Sequence, residues 1–591
     1  MAQPPAQTDR DLASISEART LVRRAKAAAP ALAELSQDQI DAIVTAMASA
    51  ATSQAEPLAR LAHEETGYGN VPDKIQKNLF ASEKIYNFIR PMKTVGVVRR
   101  LEDRKVIEIA EPFGVVAAIV PSTNPTSTAI YKILIALKAR CPIVISPHPS
   151  AARCITRVAE IMHEAARRAG APDGAINWMT TVTLEGTREL MQARETAVIL
   201  ATGGMGLVRA AYSAGKPAYG VGPGNAPAYI ESSADVEKAV RDIVTGKTFD
   251  NGVLCSSENS VVCDAGIVGE VKRQFIANGA HFLAPAEIET LGRLLVTPQR
   301  LPNPAFVGRP ATYIAAQAGI AVPPSTRVLI AELSGVGRDF PLSIEKLCPV
   351  LSFYIVQDWR EGCERCQQIL RYGGMGHTMS IHSRDDDIIL QFGLKKPAFR
   401  IIVNSPATLG SIGLTTGLDP SMTLGCGGFG GNITSDNISP RHLLNIKRLA
   451  YETNPAPSRR AEPPAGSSAG LRAAATPRLS GGLAAETLAR RIDQFLASRG
   501  YTPPHPGVLG AAQPASTPQV APPAPQPESP RPASPEPPVG QKSAEFVCED
   551  DVRQAVRQGI KIVIGERTIV TPAARDLADQ HHVFIQAGLP R

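Results

Sequence analysis

Short apolar, β-branched runs alternate with longer amphipathic segments along residues 1–452. Val115–Val120 and residues 142–146 are apolar enough to predict buried strands, and residues 198–201 predict a third strand. The intervening segments have apolar positions at helical spacing, over residues 129–140, residues 151–169 and a stretch that begins at about Gly206. This alternation predicts an α/β fold with parallel sheets, in which ligands bind at the carboxyl ends of the strands.

The pattern changes after about Thr453. Residues 453–480 are rich in Pro, Ala, Ser and Arg and predict a flexible linker. Residues 481–500 predict a short amphipathic helix. Residues 501–543 contain 14 prolines, which predicts a disordered, extended spacer rather than a packed core.

Apolar content returns over residues 544–591, which predict a small α/β module. Its expected elements are a helix over Glu549–Gln558, a strand over residues 561–564, a turn at Gly565 and a second helix after Pro572. In the helix upstream, one apolar stripe is formed by Leu488, Ile492, Phe495 and Leu496. So short a helix needs a partner, which is either the larger folded part of its own chain or a groove on another protein.

Composition narrows the possible functions. The 591 residues are 43% hydrophobic and 20% charged, with a net charge of +7 spread over interspersed acidic and basic side chains. So mild and mixed a charge argues against nucleic-acid binding, and no apolar run is long enough to predict a membrane span. The N-terminal residues lack an apolar secretory segment, and the nine cysteines are scattered, so a reducing cytoplasm is expected.

Two loops carry side chains that suit nucleophilic chemistry. Asn124 follows the first predicted strand, where its amide can donate into a cleft, although Asn-Pro is also a common turn dipeptide. Cys255 follows an Asn-Gly turn and precedes small polar residues, which indicates a loop, although a lone cysteine is also commonly a small buried hydrophobe. Taken separately, the two segments leave both alternatives open.

Several segments in one order resemble the CoA-acylating branch of the aldehyde dehydrogenase superfamily, in particular the aldehyde dehydrogenase half of bifunctional aldehyde–alcohol dehydrogenases. The matching stretches are VPSTNPTSTAIYK, ISPHPSA, ATGG, GVGPGNAP, FDNGVLCSSE, EKLCPVL, GHT and SMTLGCGGFGGN, over roughly residues 15–450. The resemblance implies a Rossmann-type cofactor domain, an α/β catalytic domain and a small oligomerisation element. The expected layout is an NAD-binding domain over 1–228 completed by an oligomerisation element over about 432–452, a catalytic domain over 229–431, a linker over 453–480, a targeting helix over 481–500, a Pro-rich linker over 501–543 and a small module over 544–591.

The resemblance implies that Cys255 is the nucleophile and that the Asn124 side chain and the Cys255 backbone N–H stabilise the oxyanion. Hydride then passes to NAD, and the thiol of coenzyme A converts the resulting thioacyl enzyme to acyl-CoA. His377 is a candidate to assist that thiol, with a structural role as the alternative. No metal site is expected, because the Cys363-x-x-Cys366 pair lies in a predicted helix and lacks a second pair.

The cofactor contacts implied by the resemblance are Ile119, Val120, Pro121, Ser122, Thr123, Asn124, Gly204, Gly222, Glu345 (at the nicotinamide ribose) and Leu424. Many aldehyde dehydrogenases have a lysine where this chain has Ser146, and its absence favours NAD over NADP. Hydrolytic members of the superfamily carry a water-activating glutamate at the position that aligns with Gly220. Its absence favours CoA over water as the nucleophile that releases the acyl group.

The expected function is therefore reversible, NAD-dependent oxidation of a short aliphatic aldehyde, acetaldehyde or propionaldehyde, to acyl-CoA. The alternatives are oxidation to the free acid and a catalytically inactive scaffold protein. A homodimer or homotetramer is expected. The linker–helix–linker arrangement resembles the encapsulation peptides of bacterial microcompartment enzymes, so a shell protein is the expected partner of residues 481–500 and the microcompartment lumen the expected location.

Overall fold

Two parallel sheets, one of five strands and one of seven, dominate the first of two units into which the chain divides, residues 1–461. The second unit, residues 462–591, is treated separately below. In this computed structural model the described residues are 7–456, 544–547, 549–570 and 572–586. The predicted linkers and the predicted amphipathic helix over 481–500 lie outside the described residues, apart from residues 453–456.

The helices of the first unit are α1 (Gln7–Ala33), α2 (Gln37–Ser53), α3 (Ala55–Thr66), α4 (Val71–Leu79), α5 (Ile85–Ile89), α6 (Pro125–Lys138), α7 (Ala152–Arg168), α8 (Leu184–Gln192), α9 (Met205–Tyr212), α10 (Val236–Thr248), α11 (Val268–Ala277), α12 (Pro285–Leu295), α13 (Ala311–Gln317), α14 (Trp359–Tyr372), α15 (Asp386–Lys395) and α16 (Ala407–Ser411). Its strands are β1 (Gly96–Leu101), β2 (Val106–Pro112), β3 (Val115–Val120), β4 (Ile143–Pro147), β5 (Ile176–Trp178), β6 (Thr196–Thr202), β7 (Ala218–Val221), β8 (Ala226–Ile230), β9 (Glu258–Asp264), β10 (Ala280–Phe282), β11 (Val328–Glu332), β12 (Val350–Val356), β13 (Gly376–His382), β14 (Ala398–Val403) and β15 (Leu444–Ala450).

The five-stranded sheet has the order β5-β4-β3-β6-β7, and every neighbouring pair is parallel. All residues of β3 and of the following helix α6 are buried, which accounts for their nearly continuous apolar sequence. The helix predicted over 129–140 begins earlier, at Pro125, because proline suits the first turn of a helix, and Asn124 becomes its N-cap residue. The predicted α/β class is confirmed.

The seven-stranded sheet has the order β10-β11-β12-β9-β8-β13-β14 and is also parallel throughout. The chain passes from the five-stranded sheet to the seven-stranded sheet between Val221 and Ala226. The domain boundary predicted at residue 228 therefore falls inside β8. A third, antiparallel sheet has the order β1-β2-β15, and its edge strand β15 lies within the predicted oligomerisation element.

The second unit contains a parallel sheet of order β16-β17-β18 and two helices among its described residues. These elements are β16 (Ala544–Val547), α17 (Glu549–Gln558), β17 (Ile562–Val570), α18 (Pro572–His581) and β18 (Phe584–Gln586). Both predicted helices are confirmed. The turn predicted at Gly565 is wrong: the strand continues through it, and the Gly565 N–H donates to Thr568 Oγ1 at 2.8 Å. Glycine is compatible with an irregular strand as well as with a turn, and the register of β16 against β17 shifts between Ala544 and Phe546.

None of the helices in the described residues is at once long enough and apolar enough to cross a membrane.

Candidate active site

A cavity of about 500 Å³ in the first unit opens beside the carboxyl ends of β3, β4 and β6. This is the edge of a parallel sheet at which nucleotides and substrates bind. The structure brings most of the sequence-predicted site residues to its wall: Ile119, Val120, Pro121, Ser122, Thr123, Asn124, Gly204, Gly222, Cys255 and Glu345. His377 and Leu424 do not line it.

Cys255 is partly exposed and lies between a short turn, Phe249–Gly252, and strand β9. The turn reverses the chain with left-handed backbone at Asp250 and Asn251, whose φ angles are 48° and 54°. Burial, followed by the nearby charge of Glu345, raises the pKa of the Cys255 thiol to about 12, against the smaller opposing effect of Arg400. The resting thiol is therefore protonated at neutral pH.

Asn124 is 9% exposed at the N-terminus of α6. Its Oδ1 accepts a hydrogen bond from Lys77 Nζ at 2.7 Å, and its Nδ2 donates to Thr123 Oγ1 at 3.2 Å. An amide nitrogen has two hydrogens, so a second N–H remains for a ligand in the cavity.

Glu345 precedes strand β12, and its Oε1 accepts a hydrogen bond from the Gly224 N–H at 2.8 Å. Burial raises the pKa of its carboxyl group to about 8. Glu345 is the only carboxylic acid on the cavity wall in the described part of the chain. Since it is mostly protonated at pH 7, it is a weak activator of water there.

His377 is fully buried at the start of β13, and its Nδ1 lies 3.0 Å from Thr378 Oγ1. Its Nε2 has no hydrogen-bond partner among the described residues. Burial, followed by the charge of Arg400, lowers the pKa of His377 to about 3, so its ring is neutral. Gly224 separates it from Cys255: a Cβ at Gly224 would lie 3.2 Å from His377 Cγ and 2.0 Å from the Cys255 carbonyl oxygen.

Two predicted positions face away from the cavity. A Cβ on Gly220 would lie 2.8 Å from Val208 Cγ1 and 3.1 Å from the Tyr212 ring, on the side of helix α9. Leu424 is 2% exposed, packs in the hydrophobic core and forms a bridge with Asn437. The cavity therefore receives no side chain from Gly220 and no contact from Leu424.

The polar groups of the cavity wall suit an uncharged nucleotide sugar. Ser146 Oγ lies 2.8 Å from Thr187 Oγ1, and the buried Thr202 Oγ1 has no partner among the described residues. Within those residues, neither lysine nor arginine lines the cavity. The hydroxyl without a partner and the volume of about 500 Å³ are compatible with a dinucleotide, whereas the described cavity wall offers no lysine or arginine to an additional sugar phosphate. The described residues contain no cluster of three or more His, Cys, Asp or Glu side chains that could hold a metal.

Lys77 and Asp250 are the contacts that the sequence did not indicate. Lys77 donates to Asn124 and also to Asp250, which stands five residues before Cys255. Neither residue stands out in the sequence as part of a functional site, because Lys77 lies on an ordinary amphipathic helix and Asp250 belongs to a common turn sequence. Only the tertiary packing of α4 against both catalytic loops brings them together.

The sequence profile of the aldehyde dehydrogenase family matches residues 7–282. Over 442 residues the chain is 42% identical to the bifunctional aldehyde-alcohol dehydrogenase AdhE of Escherichia coli (strain K12), a match that covers 74% of this chain and 50% of that protein. The chain thus spans about half the length of the bifunctional curated relatives that it matches.

Two solved structures are similar over most of their length. An acetylating aldehyde dehydrogenase from Geobacillus thermoglucosidasius is 50% identical with a TM-score of 0.75, and the match covers 76% of this chain and 99% of that chain. A propionaldehyde dehydrogenase from the Clostridium phytofermentans fucose utilisation bacterial microcompartment is 28% identical with a TM-score of 0.67, covering 74% of this chain and 97% of that one.

The charge of Glu345 leads to a pH-dependent prediction for the Cys255 thiol. At pH 9 Glu345 is ionised and disfavours the thiolate, so Glu345→Gln should increase the rate of Cys255 alkylation by iodoacetamide by about 3- to 10-fold. Below pH 7 Glu345 is protonated, so the two proteins should react at similar rates. The rate is measured by mass spectrometry of the Cys255 peptide, with the exposed Glu289→Gln as the control. A variant that reacts no faster at pH 9 would contradict this effect.

Proposed function

The chain belongs to the aldehyde dehydrogenase family, and we propose that it catalyses NAD-dependent, CoA-acylating oxidation of a short aliphatic aldehyde to acyl-CoA through a thioester on Cys255. The observation that carries this proposal is the cavity itself, in which Cys255 and Asn124 share one wall with a dinucleotide-sized cleft. Acetaldehyde and propionaldehyde are the proposed substrates, and the similarity to a propionaldehyde dehydrogenase supports them.

In the proposed first step, the Cys255 thiol loses its proton and its sulfur attacks the aldehyde carbonyl carbon. Negative charge moves onto the carbonyl oxygen, which accepts hydrogen bonds from Asn124 Nδ2 and the Cys255 backbone N–H. Because Cys255 is partly exposed, its proton can pass to solvent. Glu345 lines the same cavity but is mostly protonated at neutral pH, so we propose it as a contact for the nicotinamide ribose and not as the base. Its hydrogen bond from the Gly224 N–H keeps the carboxyl group in place.

The proposed nicotinamide cofactor would be held by the end of β3 over Ile119–Asn124, by the turns at Gly204 and Gly222 and by Glu345. When bound, it supplies the hydride acceptor that converts the Cys255 adduct to a thioester. The glycines leave space for close approach of the backbone to the cofactor. These residues therefore orient the reacting carbon without a charged contact to the nucleotide.

In the proposed release step, the thiol of coenzyme A attacks the thioester carbon, acyl-CoA leaves and Cys255 is regenerated. Water competes poorly, because Gly220 contributes no carboxylate and Glu345 is mostly protonated at neutral pH. His377 remains the proposed acceptor of the CoA proton, since its neutral Nε2 has no partner among the described residues. Its low pKa means that a proton accepted there must be passed on quickly.

Release of the free acid is a second candidate function, and Glu345 favours it at high pH. Above its pKa of about 8 this carboxylate can activate water for attack on the thioester. An inactive scaffold is disfavoured, because Cys255, Asn124 and Glu345 share one cavity.

Dependence on coenzyme A tests the proposed reaction. At pH 7.5, omission of CoA should slow steady-state NADH formation from propionaldehyde by about 100-fold, because water lacks an activating base. Cys255→Ala should lower kcat by about 1,000-fold or more, whereas Cys154→Ala, a buried cysteine of α7, should retain turnover. NADH absorbance and mass spectrometry of propionyl-CoA give the readouts. Equal rates with and without CoA would identify the hydrolytic reaction instead.

Cofactor preference can be tested separately at Ser146. Without a cation on the described cavity wall, kcat/KM should favour NAD over NADP by about tenfold or more. Ser146→Lys would place an ammonium group in the cavity and should reduce that preference by about tenfold, while Ser146→Ala should preserve it. Initial rates at varied concentrations of each cofactor provide the comparison. Equal use of NADP by the unmodified protein would show that the 2′-phosphate is bound by other groups.

We further propose assembly and targeting roles outside the site. Residues 432–452, which include the edge strand β15, are the proposed oligomerisation element of a homodimer or homotetramer. Residues 481–500 are the proposed contact with a microcompartment shell protein, and the similarity to a microcompartment enzyme supports that context. We propose NAD binding for residues 1–228, which contain the five-stranded sheet, and catalysis for residues 229–431, which contain most of the seven-stranded sheet.

Deletion of residues 481–500 tests the targeting proposal. When the protein is co-expressed with shell proteins, this deletion should abolish co-sedimentation with the assembled shells, because the apolar stripe is removed. Turnover in solution should remain unchanged. Deletion of residues 511–530, an equal length of the Pro-rich segment, is the matched control and should preserve co-sedimentation. Shell association that survives the first deletion would assign targeting to another part of the chain.

A further inference from the structure

Lys77 connects the two catalytic loops through one buried ammonium group. Its Nζ donates to Asn124 Oδ1 at 2.7 Å and also forms an ion pair with Asp250 Oδ2. Lys77 is 3% exposed and Asp250 is fully buried. Asn124 and Asp250 belong to different parts of the chain, and helix α4 brings Lys77 between them.

Asp250 is itself held by several neighbours. Its Oδ1 accepts from the Asn70 N–H at 2.8 Å, its Oδ2 from Lys74 Nζ at 3.1 Å, and its own N–H donates to Asp73 Oδ2 at 2.7 Å. Aspartate adopts left-handed backbone less readily than glycine, although more readily than most other residues, and these contacts hold Asp250 in that conformation. These contacts therefore attach the turn that precedes Cys255 to the N-terminal part of α4.

The Lys77 contact determines which way the Asn124 amide faces. An ammonium group can only donate, so the amide oxygen must face Lys77 and the NH₂ group must face away from it. The reverse orientation would place NH₂ against a buried cation. A cation on the oxygen also polarises the amide and strengthens its N–H groups as donors.

We propose that Lys77 is a positioning residue of the oxyanion site: its ammonium orients and polarises the Asn124 amide, and its ion pair with Asp250 ties that amide to the Cys255 loop. This inference rests on the proposed thioester chemistry. It assigns Lys77 no contact with substrate, so its effect is transmitted through Asn124. Burial lowers the pKa of Lys77 to about 8, and the negative charge of Asp250 is the main effect that opposes this shift. The ammonium form therefore still predominates at pH 7.

Lys74 supplies a matched control for the effect of Lys77. It lies one turn earlier on α4, is 2% exposed and contacts the same Asp250 carboxylate, but in the described part of the chain it makes no hydrogen bond to Asn124. Lys77→Met and Lys74→Met each remove one buried ammonium group while keeping an unbranched side chain. Loss of stability should therefore be similar in both, which the thermal unfolding midpoint measures.

The decisive measurement needs no cofactor. Propionaldehyde that forms the hemithioacetal on Cys255 protects this thiol from iodoacetamide, and the oxyanion donors strengthen that protection. Lys77→Met should raise the aldehyde concentration for half-protection by about 10-fold or more, close to the effect of Asn124→Ala, while Lys74→Met should change it by less than about threefold. In turnover, Lys77→Met should lower kcat by about 10- to 100-fold and leave KM for NAD within about twofold.

A double-mutant cycle distinguishes positioning from general destabilisation. In an Asn124→Ala background, Lys77→Met should cause no further loss of protection, since its target is already absent. Lys77→Gln retains a neutral hydrogen-bond donor and should give intermediate protection. This variant still tests the inference if Lys77→Met does not fold. Additive losses, equal losses in both lysine variants or unmodified protection in Lys77→Gln would overturn the inference. Lys77-dependent protection without formation of acyl-CoA would refute the proposed function and leave this inference standing.

Discussion

Burial of the ionisable side chains is the constraint on which the rest of the site depends. Burial is the largest cause of the pKa shifts of Cys255, Glu345 and His377, and it moves each of them towards its neutral form. The resting site therefore holds a thiol, a carboxylic acid and a neutral imidazole at pH 7. In the proposed reaction, charge would develop there only when an aldehyde binds.

Much of this arrangement could be predicted from the sequence, because it depends on local patterns. The run Val115–Val120 is apolar on both faces, so a buried parallel strand was recognisable, and its carboxyl end indicated the loop that carries Asn124. Cys255 was recognisable from its loop and from the order of the surrounding motifs. Gly565 shows the limit of local patterns, since glycine suits both a turn and an irregular strand.

The remaining features depend on contacts between distant segments. Leu424 belongs to a glycine-rich motif, yet the fold turns it into the core beside Asn437. Lys77 and Asp250 are 173 residues apart and meet only because α4 packs between the two catalytic loops. No pattern within either segment specifies that contact. Single-sequence reasoning could therefore propose Cys255 as the nucleophile and Asn124 as the oxyanion donor, but it could not find the lysine that contacts Asn124.

The described wall of the cavity presents hydroxyl and backbone groups and includes no lysine or arginine. Attraction between a nucleotide diphosphate and fixed cations is screened by salt, whereas contacts to hydroxyls and main-chain groups are screened far less. Nucleotide affinity should accordingly be almost insensitive to ionic strength.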